Sequence, residues 1–174
     1  MSPAAGAVLV ASPLLGDPHF ARSVVFLIEH SDRGSMGVVV NRPLDTPLGE
    51  LWPEAPTAIA GTRIAADGGP VGRQGGLILH ACPDLPGAQE LVPGLAAGGS
   101  TDALLARFAS GPDRRGPRLF LGHSGWGAGQ LDRELAQGAW TVRAGSTAWV
   151  LRPPADLWQR LSDGPDPRLA PGLN

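Results

Sequence analysis

At 174 residues, with a net charge of −2 and a pI near 6.0, the chain has the length of one domain, able to bury roughly 70% of its extended-chain surface. It lacks the basic excess with which DNA-binding domains displace counterions. Its single cysteine, Cys82, excludes an intrachain disulfide framework.

The first apolar signal is Ala7–Leu15, followed after Gly16-Asp17-Pro18 by Ser23–Ile28; two β-branched runs split by a turn predict two strands. Ser31–Gly34 then turns the chain into Met36–Val40, which predicts a hairpin. The near-continuous hydrophobicity of these strands implies cover on both faces. Further strands are predicted over Thr62–Ala66, Gly76–Cys82, Arg118–Gly122, Trp140–Arg143 and Thr147–Leu151, each bounded by Gly or Pro. Helices are predicted over Thr101–Ser110, Gln130–Gln137 and Pro154–Leu161. Pro53–Gly61 and Pro83–Ser100 read as loops, and 163–174 as a flexible Pro- and Gly-rich tail. Without regular βαβ alternation, this order predicts an α+β fold: a single compact domain over 1–174 with coiled mixed β-sheets and a few short helices.

Four groups of residues invite a chemical reading. Gly122-His123-Ser124-Gly125-Trp126-Gly127 approaches the G-x-S-x-G nucleophile elbow, but Trp126 stands where a second glycine is required. A tight turn needing positive φ is the plainer reading. The following Gly127-Ala128-Gly129-Gln130 opens a short helix, whose first N–H groups could receive an anion. His80 and Cys82 share one strand face at i, i+2, but two ligands do not make a metal site, and no metal or cofactor is implied. A buried thiol beside a hydrogen-bonded imidazole accounts for them.

Arg22, His30, Asn41 and Arg42 lie at the ends of the first hairpin, where polar groups flank apolar strands. Asn41-Arg42-Pro43 also reads as a simple chain reversal, with Asn tolerating αL. The sharpest expectation is that Arg22, His30, Asn41 and Arg42 border one depression with Ser124, Gly127 and Gln130, forming a site for a small polar or anionic ligand.

Three blocks carry a resemblance to a known family. They are Ala11-Ser12-Pro13 through Asp17–Val25, Glu29-His30 and Gly34–Gly37 to Asn41-Arg42-Pro43; Gly68-Gly69-Pro70-Val71 with Gly76–His80; and Gly122–Leu131 with Glu134 and Trp140. In these the chain resembles the YqgE/AlgH proteins of bacteria. The resemblance implies a compact α+β fold and the family's usual description as transcriptional regulators, and it transfers no catalytic residue or cofactor. Together with the lack of a recognition-helix motif or a complete nucleophile–base–orienter set, it leads to an expected regulatory or interaction module that affects transcription indirectly. Such a module would bind a small ligand or a protein partner, without strong direct DNA binding. An enzyme using polar residues around the Gly-rich turn is the alternative. No apolar run reaches the roughly 18 residues that span a bilayer, and no leader pattern is present, so a cytoplasmic location without membrane contact is expected.

Overall fold

The computed structural model describes residues 1–163. Its centre is the β-branched start of the chain. Strands β1 (Ala7–Ala11), β2 (Val24–Ser31) and β3 (Gly34–Val39) pair antiparallel in sequence order. Alternation along them sends Val8, Val24, Phe26, Ile28 and Val38 to one face, and Leu9, Val25, Leu27 and Val39 to the other. Both faces are buried, as the unbroken hydrophobicity implied.

Two short helices, α1 (Leu48–Leu51) and α2 (Thr57–Ala60), precede β4 (Ala65–Asp67) and the long β5 (Val71–His80). The hairpin β6 (Gln89–Val92) and β7 (Leu95–Ala97) leads to α3 (Thr101–Arg107) and β8 (Arg118–Gly127). Helix α4 (Gln130–Ala136), strand β9 (Trp140–Ala144) and helices α5 (Thr147–Leu151) and α6 (Leu157–Asp163) complete the described chain. The strand order is β6-β7-β5-β8-β3-β2-β1-β9, all antiparallel, with β4 added parallel to β8. The sheet is therefore mixed and curled, and the fold is α+β as expected.

Strand β8 is the joint. Its Leu119–Leu121 half pairs with β4 and β5, and its Ser124–Gly127 half pairs with β3. Between them Gly122 takes φ +72°, a conformation open to glycine at little steric cost. The positive φ expected of a tight turn thus belongs to a kink inside a strand, and Gly122–Gly127 is not a turn.

Three other expectations are corrected. Thr147–Leu151 is a helix, because the Ser146 hydroxyl accepts the Ala148 N–H at 3.2 Å and starts a turn that buries Val150 and Leu151. Pro53–Gly61 contains α2. Pro83–Ser100 holds the β6–β7 hairpin, turned at Gly94 with φ +84°. The flexible tail expected over 163–174 lies, beyond the end of α6 at Asp163, outside the described residues.

Candidate functional site

The Gly68-Gly69-Pro70 loop between β4 and β5 lies directly on the kink of β8. The Gly68 carbonyl accepts the Val39 N–H at 2.9 Å and the Ser124 hydroxyl at 3.2 Å, and the Gly68 N–H reaches the Leu121 carbonyl at 2.8 Å. A Cβ on Gly69 would stand 2.6 Å from Ser124 Oγ and overlap the His123 carbonyl. Ser124 is fully buried. Its hydroxyl therefore bonds backbone beneath a loop, and this geometry is not that of a nucleophile exposed at an elbow.

The polar hairpin residues fall into two groups. At the β2–β3 turn, His30 Nδ1 bonds Ser35 Oγ at 2.6 Å. At the open end, six residues back along β2 and hence roughly 20 Å away, Asn41 accepts the Val24 N–H and donates to the Arg22 carbonyl, both at 2.9 Å. Arg42 donates to the carbonyls of His19 and, at 3.0 Å, Ala21. Asn41 and Arg42 thus hold the β1–β2 loop by its carbonyls. The αL residue here is Arg22, at φ 57°, and not Asn41; its guanidinium lies over the Trp158 ring, 5.6 Å from the centroid. Asn41→Ala is expected to lower stability by about 1–3 kcal/mol, because it strips a partner from the Val24 N–H at a buried strand start. A urea midpoint unchanged from wild type would contradict this role.

The Gly127 N–H, expected to face an anion, is taken by Gln130 Oε1 at 3.0 Å. Gln130 in turn donates to Glu134 Oε2 at 2.8 Å, while Glu134 Oε1 accepts both indole N–H groups, Trp126 at 3.3 Å and Trp140 at 3.0 Å. One carboxylate therefore satisfies the N–H groups of two buried tryptophans. Glu134→Ala leaves both indoles unpaired and is expected to destabilise by about 2–4 kcal/mol; a loss below that of Asn41→Ala would contradict the hub.

His80 is fully buried, accepting the Cys82 N–H on Nδ1 at 3.1 Å and donating from Nε2 to the Gly98 carbonyl at 2.6 Å. Cys82 is buried beside it. Among the described residues no three His, Cys, Asp or Glu side chains group as metal ligands do.

Three separate hollows border these segments. His19, Arg42, Asp67, Gly69, Pro70 and Arg73 line a depression of about 320 Å³. Asn41 and Pro43, on the other side of Arg42, line a different cleft with Arg118. Gly122 and His123 border a third hollow with Met36 and Gly72. The expected shared depression is thus divided. Ser124, Gly127 and Gln130 line none of the three, and Arg22 sits on α6.

A protein-family model described as AlgH-like (DUF179) matches residues 8–164. The chain belongs to the AlgH-like family. A UPF0301 protein of Myxococcus xanthus is 40% identical over 155 residues, spanning 87% of this chain and 84% of the relative. The solution structure of the AlgH protein from Pseudomonas aeruginosa superposes with a TM-score of 0.74 at 31% identity, covering 97% of this chain and 94% of that one. The crystal structure of DIP2367 from Corynebacterium diphtheriae gives 0.75 at 28% identity, covering 96% and 90%.

In this AlgH-like chain Gly34–Gly37, Gly68-Gly69 and Gly122–Gly127, parts of all three blocks that carry the resemblance, meet at the β8 joint. The depression adds two side chains with no motif to mark them in the sequence, Asp67 and Arg73, which flank the Gly-Gly-Pro loop and form an ion pair. Their only signal was their position, three to either side of Pro70. With Arg42 and Arg73 against one Asp67 carboxylate, the depression holds an excess of positive charge.

Proposed function

We propose that this AlgH-like domain is a cytoplasmic regulatory or interaction module that acts through a small polar or anionic ligand, or a partner presenting such a group, at the Arg42–Asp67–Arg73 depression. One contrast supports the reading. Ser124 and His80 are buried and bonded to backbone, whereas charged side chains gather at a solvent-facing hollow. The half-exposed Arg73 guanidinium suits a carboxylate or phosphate group; Arg42, whose Nη1 and Nη2 bond loop carbonyls, adds positive charge beside it, and Asp67 adds an acceptor for a donor on the same ligand. No helix among the described residues is long and apolar enough to cross a membrane.

Titration of the ¹⁵N-labelled chain with citrate as an anionic probe tests this. Saturable amide shifts confined to His19, Arg42, Asp67, Gly69 and Arg73 are expected, and scattered or non-saturating shifts would count against the site. An influence on transcription would then be indirect. Duplex DNA is expected to bind weakly and without sequence preference, since a chain with net charge −2 and dispersed arginines releases few counterions. A submicromolar, sequence-selective complex with a steep salt slope would restore direct regulation.

A further inference from the structure

The cleft on the Asn41 and Pro43 side of the hairpin end, also about 320 Å³, holds a feature that neither the fold nor the depression explains. Arg118, at the start of β8, is only 6% exposed and lines this cleft. Among the described residues it has no carboxylate partner. Its two hydrogen bonds among the described residues, to the carbonyls of Val40 and Val150, are both 2.8 Å long and both made by Nη1. That leaves Nε and Nη2, the pair that forms the bidentate fork of a guanidinium. The Phe120 ring lies 5.0 Å away, and desolvation lowers the pKa to about 10, which keeps the group cationic at neutral pH.

A buried charge is costly unless paired. Two carbonyls supply only partial charge. Two more cations, Arg63 and Arg152, line the same cleft at exposed positions, and among the described residues only Arg63 has an acidic partner, the highly exposed Asp45 at 2.9 Å. The remaining walls include Ile64, Leu151 and Pro153. Converging guanidinium groups on apolar walls are the donor set of an organic anion. The volume is at the small end of the range for ligand sites.

We propose that this cleft binds a small organic acid, its carboxylate held by the free fork of Arg118 and its apolar body lying along Ile64, Leu151 and Pro153. Arg152 screens the carboxylate from outside. The site is separate from the Arg42–Asp67–Arg73 depression and does not depend on it.

Hexanoate and inorganic phosphate, each titrated into the ¹⁵N-labelled chain, are the probes. Hexanoate is expected to give saturable shifts at Ile64, Leu151 and Arg152, weakened at least tenfold by Arg118→Met and about threefold by Arg152→Ala. Arg152→Ala should keep the wild-type melting temperature, since its side chain is exposed and makes no hydrogen bond among those of the described residues. If Arg118→Met does not fold, the Arg63→Ala/Arg152→Ala double variant decides, with an expected loss of tenfold. Binding of hexanoate that these variants leave unchanged, or no saturable shift, would show that Arg118 serves only to tie Val40 to Val150. Saturable binding of phosphate without hexanoate would overturn the assignment to an organic acid. Shifts at Asp67 and Arg73 alone would place the ligand in the other depression and refute this site.

Discussion

Gly69→Ala is expected to destabilise the protein by about 4 kcal/mol or more, placing it among the exceptional single substitutions. Two costs coincide there. Gly69 has φ +144°, where side chains are strained, and its Cβ would overlap the His123 carbonyl of β8, with Ser124 Oγ 2.6 Å away. Backbone cannot step aside without opening the joint between Gly68 and Leu121. Gly94→Ala is the control, since Gly94 has φ +84° but nothing within 4 Å of a new Cβ; its cost should be that of the backbone conformation alone, about 1–2 kcal/mol. Equal losses for the two variants, read as urea midpoints, would mean that close approach to β8 adds nothing.

Trp126→Ala is expected to cost about 3–5 kcal/mol, against about 1 kcal/mol for Ser124→Ala two residues away. Trp126 is 5% exposed and packs in a three-ring cluster, stacked on Phe20 at 6.1 Å and edge-on to Trp140 at 5.9 Å. Truncation empties the centre of the face formed by Leu9, Leu27 and Leu131. Removing the Ser124 hydroxyl, by contrast, leaves the Gly68 carbonyl still bonded to the Val39 N–H. If Ser124→Ala lowered the denaturant midpoint further than Trp126→Ala, the segment would owe its importance to the hydroxyl and not to the indole.

The sequence made the centre of the fold legible and left its periphery obscure. Val24–Ile28 and Met36–Val40 are β-branched and bounded by turns, so local pattern alone places β2 and β3. Thr147–Leu151 has a similar composition and forms a helix, because the Ser146 cap and packing of Val150 and Leu151 against the sheet override β propensity. Hairpin β6–β7 is short and hidden among prolines and glycines, and it is held by pairing with β5, a partner visible only in the fold. The same division holds for the candidate site. Arg42 stood out beside an apolar strand, but the pairing of Asp67 with Arg73 needs the β4–β5 loop folded over β8. Gly127 and Gln130 stand in the sequence at a helix start that could face an anion, and in the fold they satisfy one another. The burial of Arg118 left no trace in the sequence, because an arginine opening a strand reads as an ordinary surface residue.

Native mass spectrometry of the gently purified chain, run side by side for wild type and Arg73→Ala, tests whether the domain works by binding at the charged depression. Arg73 is half exposed and its ion pair with Asp67 lies at the surface, so its removal should change stability by no more than about 1 kcal/mol. Wild type is expected to carry a retained small molecule or partner, and Arg73→Ala, equally folded, to have lost it. Bare masses for both proteins, or a bound species that Arg73→Ala retains in full, would contradict it.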